Sequence, residues 1–252
     1  MSLSGKVALV TGGSGGLGRF HCLSLAKAGC DVALTGYSRF EKAEALVKEI
    51  EALGRKAIAL KLDVTELDQV REGVEKARTA LGPVDILVNN AAYGIVRAAL
   101  LINTDKKDWD HDLAVNLNGA FNMIKCVMPG MLERGWGRII NISSIAGTMG
   151  GMGQCSYATT KAGLIGLTKA VALEGARKGV TCNAIVLGVF DGGAFYEVAP
   201  EFRERIIKRL AMRRLGNPQE VSNILVFLAS EESSYLTGEA IEVSGGASLF
   251  VF

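Results

Sequence analysis

A short apolar strand that runs straight into a glycine-rich loop and then a helix opens the chain. Residues 6–11 are rich in aliphatic and β-branched side chains, typical of a strand buried on both faces of a parallel sheet. Residues 12–18 hold five glycines, and a helical segment continues to Ala28, with Gly29 as its stop. Glycines let the backbone approach a pyrophosphate, and a helix N-terminus offers free N–H groups. This segment predicts a phosphate-binding loop, in the register Gly13-x-Gly15-x-x-Gly18 or Thr11-Gly12-x-x-x-Gly16-x-Gly18.

The same strand–helix alternation continues along the chain. Further strands are predicted at 32–35, 57–62, 84–88, 138–142, 180–186 and 240–243, and helices at 39–53, 66–81, 105–134, 155–178, 201–215 and 218–229. This order predicts an α/β fold, a Rossmann-type doubly wound parallel sheet flanked by helices. Because 252 residues suit one large α/β domain, we expect one domain, 1–252. Ligands of such sheets bind at the carboxyl ends of the strands.

Composition excludes several classes of protein. The net charge of +2 gives no electrostatic reason to expect nucleic acid or an anionic membrane. No apolar run reaches the length of a membrane span, and residues 1–6 show no signal-peptide pattern, so we expect a cytoplasmic protein. Five cysteines without Cys-x-x-Cys spacing and only two histidines argue against a disulfide framework and a metal site. His111 lies among Asp108, Asp110 and Asp112, which we interpret as a solvated helix face.

Tyr157 and Lys161 form the most reactive candidate pair. They are four residues apart and share a face if the segment is helical. A phenol is a poor acid or base at neutral pH, but a nearby ammonium favours the phenolate and lowers the phenol pKa. A serine at the end of the preceding strand, such as Ser144, could bind the same substrate oxygen. The spacing alone is weak, since Tyr and Lys are ordinary residues on a helix face.

Two other segments leave alternatives open. Asn116 and Asn118 interrupt an apolar helical region, either as caps of a neighbouring strand or as a break in the helix whose backbone binds water near the site. Residues 201–215 are basic around an apolar face, and with the glycine-rich segment before them we favour a substrate lid over 188–215 rather than a nucleic-acid or membrane surface.

Taken together, these motifs resemble the short-chain dehydrogenase/reductase family over almost the whole length. The matching positions are Thr11-Gly12-x-x-x-Gly16-x-Gly18, Asp63-Val64, Asn89-Asn90-Ala91, Asn116, Ser144 and Tyr157-x-x-x-Lys161. The resemblance implies hydride transfer between a nicotinamide cofactor and a carbonyl or alcohol. It implies that Tyr157 is the general acid/base, that Ser144 orients the substrate oxygen, that Lys161 lowers the pKa of Tyr157 and holds the nicotinamide ribose, and that Asn116 anchors a water.

The resemblance also implies where the cofactor lies. Its implied contacts are Gly12, Ser14, Gly16, Leu17, Gly18, Ser38, Arg39, Asp63, Val64, Asn90, Ala91, Tyr157, Lys161 and the backbone of Phe190. The chain departs from the family pattern at Ala92, where glycine is usual, and at Leu187 and Gly192, where proline and threonine are usual. The last two changes affect the nicotinamide end of the cofactor site.

Within the family the chain is most similar to 3-oxoacyl-(acyl carrier protein) reductases. A basic residue often used for carrier docking is replaced by Gly135, with Arg134 beside it, while Lys178 is kept, so a 3-oxoacyl thioester stays open as substrate. The pocket is expected to be apolar and lined by Ala92, Tyr93, Gly94, Ile95, Val96, Met149, Met152, Phe195 and Tyr196. A homotetramer is implied. The alternative is a cofactor-binding or sensing protein without catalysis, which usually lacks the reactive side chains.

The end of the second strand bears on which dinucleotide is used. An acidic residue there would bind the adenosine ribose and repel a 2′-phosphate, but the strand runs into Gly36-Tyr37-Ser38-Arg39 with no carboxylate. Asp31 is at the opposite end of the strand. Against this, Gly15 stands where NADP-binding relatives often carry a basic residue. We predict NADP, with NAD as the alternative.

Overall fold

A computed structural model describes residues 1–38, 40–94 and 98–249. Its centre is a seven-stranded sheet in the order β3-β2-β1-β4-β5-β6-β7, with every pair parallel. The strands are β1 Val7–Val10, β2 Asp31–Gly36, β3 Ala57–Lys61, β4 Ile86–Asn89, β5 Gly137–Ser144, β6 Val180–Leu187 and β7 Ala240–Val243. The predicted doubly wound parallel sheet is confirmed.

Helices cover both faces of this sheet. They are α1 Gly16–Lys27, α2 Phe40–Ala52, α3 Leu67–Leu81, α4 Lys106–Leu113, α5 Gly119–Arg134, α6 Ile145–Met149, α7 Cys155–Gly175, α8 Gly193–Tyr196, α9 Pro200–Arg209 and α10 Pro218–Ala229. One apolar layer packs α1, α2 and α10 against the sheet, and the other packs α3, α5 and α7 against the opposite face. No helix in the described ranges is long and apolar enough to cross a membrane.

The boundaries differ from the predicted ones mainly where a helix is irregular. The helical stretch predicted over 105–134, with one break, is α4 and α5 joined by a π-helical turn, Ala114–Asn118. The segment after Ser144 begins with the short helix α6, Ile145–Met149. The predicted helix 201–215 ends early, since α9 stops at Arg209.

The strand register fixes which side chains meet. Val7 pairs with Asp31, so Asp31 lies at the amino end of β2. There its carboxylate accepts from the Arg55 guanidinium at 2.7 Å and from the Lys56 N–H at 2.9 Å. The segments that follow the other ends of β1, β2, β3, β4 and β5 lie at the carboxyl edge. That edge carries the candidate site.

Candidate active site

Hydrogen bonds from two neighbouring strands hold the glycine loop after β1. The Gly12 N–H donates to the Thr35 hydroxyl at 3.0 Å, and the Gly13 N–H donates to the Thr35 carbonyl at 3.0 Å. Asn90 Nδ2 donates to the carbonyls of Thr11 and Gly12 at 3.0 and 3.1 Å. A Cβ at Gly18 would lie 2.3 Å from the Gly12 carbonyl oxygen, so only glycine lets α1 begin this close to the loop.

The opposite side of the loop is open. A Cβ built on Gly15 or Gly16 would meet no atom within 4 Å. The N-cap of α1 is Gly15, which makes no side-chain cap, and the first turn holds no acidic residue. The N–H groups at this helix end therefore face a space that suits an anion. Ser14 and Leu17 are partly exposed beside this space, so the residues present fit a pyrophosphate.

The end of β2 lies against the same loop. A Cβ on Gly36 would be 3.4 Å from Ser14 Oγ and 3.2 Å from Ala43 Cβ. Tyr37 and Ser38 are exposed, and Arg39 lies outside the described residues. Since Asp31 is held at the far end of the strand, the structure places no carboxylate of β2 beside the loop.

Asp63 and Val64 follow β3 at the same edge. The Asp63 carboxylate accepts from the N–H and the hydroxyl of Thr65, at 2.9 and 2.7 Å. Asn122 on α5 donates to the carbonyls of Val64 and Thr65, at 3.0 and 3.3 Å. This turn is thus fixed from two sides, with the Val64 side chain buried.

Asn90 and Ala91 continue from β4 along the glycine loop. The Thr11 hydroxyl accepts from the N–H of Asn90 at 2.9 Å and from the N–H of Ala91 at 3.0 Å. The Thr11 and Thr35 hydroxyl groups therefore fix the loop and the segment beside it, a role that the sequence motifs did not predict. The available signal was local, since both threonines stand at strand ends next to glycine.

Ser144, Tyr157 and Lys161 converge at the end of β5. Ser144 ends the strand and caps α6, where its hydroxyl accepts from the Ala146 N–H at 3.2 Å. Tyr157 and Lys161 lie in the first two turns of α7, and Tyr157 is close enough to Ser144 for the serine side chain to lower the pKa of the phenol. The Lys161 ammonium lies 5.5 Å from the centre of the Tyr157 ring. The structure brings the three predicted residues together.

Burial controls the proton affinities of this group. It raises the pKa of Tyr157 to about 12, against the smaller lowering effect of the Ser144 side chain. It lowers the pKa of Lys161 to about 8. The Lys161 Nζ donates to the Ile142 carbonyl at 2.8 Å. The lowered tyrosine pKa expected from Lys161 is therefore not seen in the protein alone, because desolvation of the phenol outweighs the other effects.

Asn116 is buried within the π-helical turn, and its side chain is hydrogen-bonded to the loop after β4. Its Oδ1 accepts from the Tyr93 N–H at 2.7 Å, and its Nδ2 donates to the Tyr93 carbonyl at 3.0 Å. The same Nδ2 reaches the Thr160 hydroxyl at 3.3 Å, and that hydroxyl donates to the Tyr157 carbonyl at 2.7 Å. The structure therefore shows a helix irregularity at Asn116 together with side-chain bonds to the segment that follows the neighbouring strand β4, and single π-turns are frequent at functional sites.

The predicted substrate residues divide by exposure. Tyr93, Met149 and Tyr196 are about half exposed, whereas Phe195 is buried. Tyr93 packs edge-on against His111 with ring centres 4.5 Å apart, and the Tyr196 hydroxyl donates to Asp191. Met152 is almost fully exposed. Ile95 and Val96 lie outside the described residues.

Phe190 lies on the segment after β6. It forms an isolated parallel β-bridge with Gly216. A Cβ built on Gly216 would lie 2.3 Å from Cε1 of the Phe190 ring, so the ring packs directly against this glycine. Before it, the Gly188 N–H donates to the Val243 carbonyl at 2.9 Å. The start of the predicted lid is thus tied to β7 and to the segment before α10, while α8 and α9 lie between these ties.

The solvated helix face predicted around His111 is wrong for one of its three carboxylates. Asp112 was placed with Asp108 and Asp110 on a solvated face, but it is 1% exposed, and it accepts from the Ser156 hydroxyl at 2.5 Å. The helical periodicity turns Asp112 away from Asp110 and His111, both of which are exposed. Within the described residues, no group of three or more His, Cys, Asp or Glu side chains could hold a metal ion.

Comparison with known proteins identifies the family of this chain. The family model for short chain dehydrogenases matches residues 6–201. Nodulation protein G of Azospirillum brasilense is 46% identical over 97% of this chain and 98% of its own length. The 3-oxoacyl-[acyl-carrier-protein] reductase FabG of Thermotoga maritima is 42% identical over 98% of this chain and 99% of its own.

A solved structure extends the likeness to the fold. A protein of Agrobacterium tumefaciens, provisionally named a gluconate dehydrogenase, superposes with a TM-score of 0.94 at 32% identity. The match covers 99% of this chain and 98% of that one. With the family model and the curated relatives in agreement, the chain belongs to the short-chain dehydrogenase/reductase family of oxidoreductases.

Proposed function

We propose that this protein transfers a hydride between NADP(H) and an apolar ketone or secondary alcohol, the chemistry of an alcohol dehydrogenase acting on CH–OH groups. The observation that carries the proposal is the Ser144–Tyr157–Lys161 group at the carboxyl edge, beside a glycine loop that fits a pyrophosphate. The whole chain, 1–252, is assigned to one catalytic domain of a cytoplasmic enzyme, with residues 188–215 as its substrate lid.

Tyr157 is the proposed proton donor in ketone reduction. With a pKa of about 12, its phenol is protonated at neutral pH and has a proton to give. Tyr157 and Ser144 lie close together, so both hydroxyl groups can bind one substrate oxygen. Ketone reduction would take its hydride from a nicotinamide bound in this groove, and alcohol oxidation would return the hydride to it. As the oxygen gains negative charge, Tyr157 protonates it and Ser144 holds it in place.

Lys161 is assigned two tasks. With a pKa of about 8, it is mostly protonated at pH 7, and its positive charge favours the phenolate that Tyr157 becomes after giving up its proton. Its bond to the Ile142 carbonyl fixes one of three N–H groups, and the remaining N–H groups can bind the ribose hydroxyls. Asn116 holds the π-helical turn, whose backbone is proposed to bind the water that reconnects Lys161 to solvent.

Preference for NADP over NAD is the finer part of the proposal. The end of β2 carries Gly36, Tyr37 and Ser38, and the acid that could repel a 2′-phosphate is held by Arg55 at the other end of the strand. The Ser38 hydroxyl is exposed, and Arg39 supplies a guanidinium suited to a phosphate. A charge-assisted hydrogen bond contributes roughly 1.5–3 kcal/mol.

A 3-oxoacyl thioester is the second candidate substrate. The curated relatives named 3-oxoacyl-[acyl-carrier-protein] reductase are 40–42% identical over almost the whole chain. Docking of a carrier is supported by Lys178, although Gly135 ends α5 in a left-handed conformation and Arg134 is engaged with the Val84 carbonyl at 2.7 Å. The carrier would therefore meet fewer free basic groups than the family pattern offers.

Self-association into a homotetramer is part of the same proposal. Phe121 on α5 is 49% exposed and Leu173 on α7 is 82% exposed. Ala162, Gly166 and Ala170 are exposed on α7, while Gly163 packs toward Leu117 inside the chain. Small and apolar residues exposed on adjacent helices support an interface between copies.

The decisive experiment follows absorbance at 340 nm with NADPH and a substrate panel. The panel contains apolar ketones, 3-oxoacyl thioesters of a short thiol, and polar sugar ketones. Turnover of the apolar ketones or thioesters, absent in Tyr157→Phe, supports the proposal. Tight NADPH binding, seen by cofactor fluorescence, without turnover of any substrate or of the matching alcohols would instead favour the non-catalytic alternative.

A further inference from the structure

Two hydrogen-bonded pairs connect the α4–α5 segment to the start of α7, and each involves the residue just before a reactive side chain. Asp112 accepts from Ser156 at 2.5 Å, and Ser156 precedes Tyr157. Asn116 donates to Thr160 at 3.3 Å, and Thr160 precedes Lys161. Asp112 and Asn116 are four residues apart, as are Ser156 and Thr160, so the two pairs lie one helical turn apart.

The first pair also touches the loop that borders the substrate. A Cβ on Gly94 would lie 2.5 Å from Asp112 Oδ1, so the carboxylate packs directly against the Gly94 backbone. The residue before Gly94 is Tyr93, and the Asn116 side chain is hydrogen-bonded to both its backbone N–H and its backbone carbonyl. Asp112 is thus in contact with the loop after β4 on one side and with the first turn of α7 on the other.

Burial makes these contacts costly to lose. Asp112 is 1% exposed and Ser156 is 7% exposed. A buried carboxylate is tolerated only with hydrogen-bonding partners, and charge-assisted bonds are stronger and shorter than neutral ones. A strong, short bond to the second residue of α7 restricts how that turn can rotate, and rotation of that turn moves the Tyr157 hydroxyl.

We propose that Asp112 is a positioning residue for the reaction. It holds Ser156, and through Ser156 it sets where the Tyr157 hydroxyl lies relative to the Tyr93–Gly94 loop. This rests on the proposed function, because the consequence is a slower chemical step. Among the described residues, Asp112 is in contact with Ser156 and with the Gly94 backbone, and it acts through these neighbours.

The test compares kcat, KM and cofactor binding in a small set of variants. Ser156→Ala and Asp112→Ala should each lower kcat about 10-fold, since small misplacements of a reacting group are expensive. The Kd for NADPH should change by less than about two-fold, because the phosphate loop is untouched. Asp112→Asn keeps an oxygen acceptor for Ser156 and should restore most of the activity.

Thr159→Ala is the matched control. Its hydroxyl lies in the same helical turn, but it is exposed and donates to the Cys155 carbonyl of its own helix at 2.8 Å. This variant should keep the wild-type kcat. If Asp112 and Ser156 act through one bond, the double alanine variant should lose no more than the worse single variant.

Three results would overturn the proposal. They are an unchanged kcat in Ser156→Ala, a loss of kcat in the double variant equal to the product of the two single losses, and a loss of kcat in Thr159→Ala as large as in Ser156→Ala. Inactivity of the wild-type protein would instead count against the proposed function. Amide hydrogen exchange over the first turn of α7 then decides the positioning role. Faster exchange in Ser156→Ala than in wild type and Thr159→Ala supports it, and equal exchange refutes it.

Discussion

Replacing Lys161 by methionine should make the folded protein more stable while abolishing turnover. Lys161 is 2% exposed, and burial lowers its pKa from the ordinary 10.5 to about 8. At about 1.4 kcal/mol for each pKa unit, holding this ammonium in the folded protein costs about 3 kcal/mol at pH 7. Methionine has a similar stem and carries no charge, so the variant avoids that cost.

The gain is partly offset by a lost hydrogen bond. The Ile142 carbonyl accepts from Lys161 at 2.8 Å, and leaving it without that donor costs about 1 kcal/mol. The net stabilisation at pH 7 is then about 2 kcal/mol, which for a domain of this size raises Tm by about 4–8 °C. On this reasoning, the lysine that we propose for catalysis is kept at the expense of stability.

The pH dependence gives the sharper test. Because the folded pKa lies below the unfolded one, the cost is fully present below about pH 8 and is relieved as the pH rises from about 8 towards 10.5. In urea unfolding without cofactor, the free energy of unfolding of Lys161→Met should exceed that of wild type at pH 7. At pH 10 the two free energies should be nearly equal. Lys48→Met, at an exposed position of α2, should change stability by less than about 0.5 kcal/mol at either pH. A Lys161→Met protein that is less stable than wild type at pH 7, or a difference that does not vary with pH, would refute this reasoning.

Three further predictions concern catalysis, cofactor choice and assembly. Tyr157→Phe should lower kcat at least about 10²-fold, as expected for a lost general acid, with NADPH binding unchanged by fluorescence titration; retained turnover would remove Tyr157 from the mechanism. Wild type should show a higher kcat/KM for NADPH than for NADH. Gly36→Asp should reverse this order, because a Cβ at position 36 would lie 3.4 Å from Ser14 Oγ and the new carboxylate would therefore lie beside the glycine loop. Equal or better use of NADH by wild type contradicts this prediction. Light scattering at micromolar concentration should give the mass of a tetramer, and an aspartate in place of exposed Leu173 should reduce it; a monomeric wild type would exclude the interface.

Local patterns were sufficient to predict most of the fold. The alternation of apolar runs with helical segments predicted the parallel sheet because strand and helix periodicity is a property of nearby residues. The glycine loop was predictable for the same reason, since the strand before it and the helix after it are adjacent in the chain. Tyr157 and Lys161 share a face in any helix, so their spacing alone placed them together.

Interactions between distant segments decided the rest. The π-helical turn around Asn116 depends on bonds to Tyr93 and Thr160, which lie 23 and 44 residues away along the chain. Asp112 looked solvated beside its acidic neighbours, yet the packing of α4 on α7 buries it against Ser156. No local pattern could show which helix would cover that carboxylate.

The pKa values of the candidate site show the same difference between what neighbouring residues predict and what tertiary packing decides. The sequence placed an ammonium near a phenol and so predicted a lowered pKa for Tyr157, but the fold buries the phenol and raises its pKa to about 12. Desolvation depends on everything packed around a group, whereas the sequence shows only its nearest neighbours in the chain. The sequence by itself determined which reactive groups are present and that Tyr157 and Lys161 share a helix face, and the tertiary structure decided how strongly each group holds its proton.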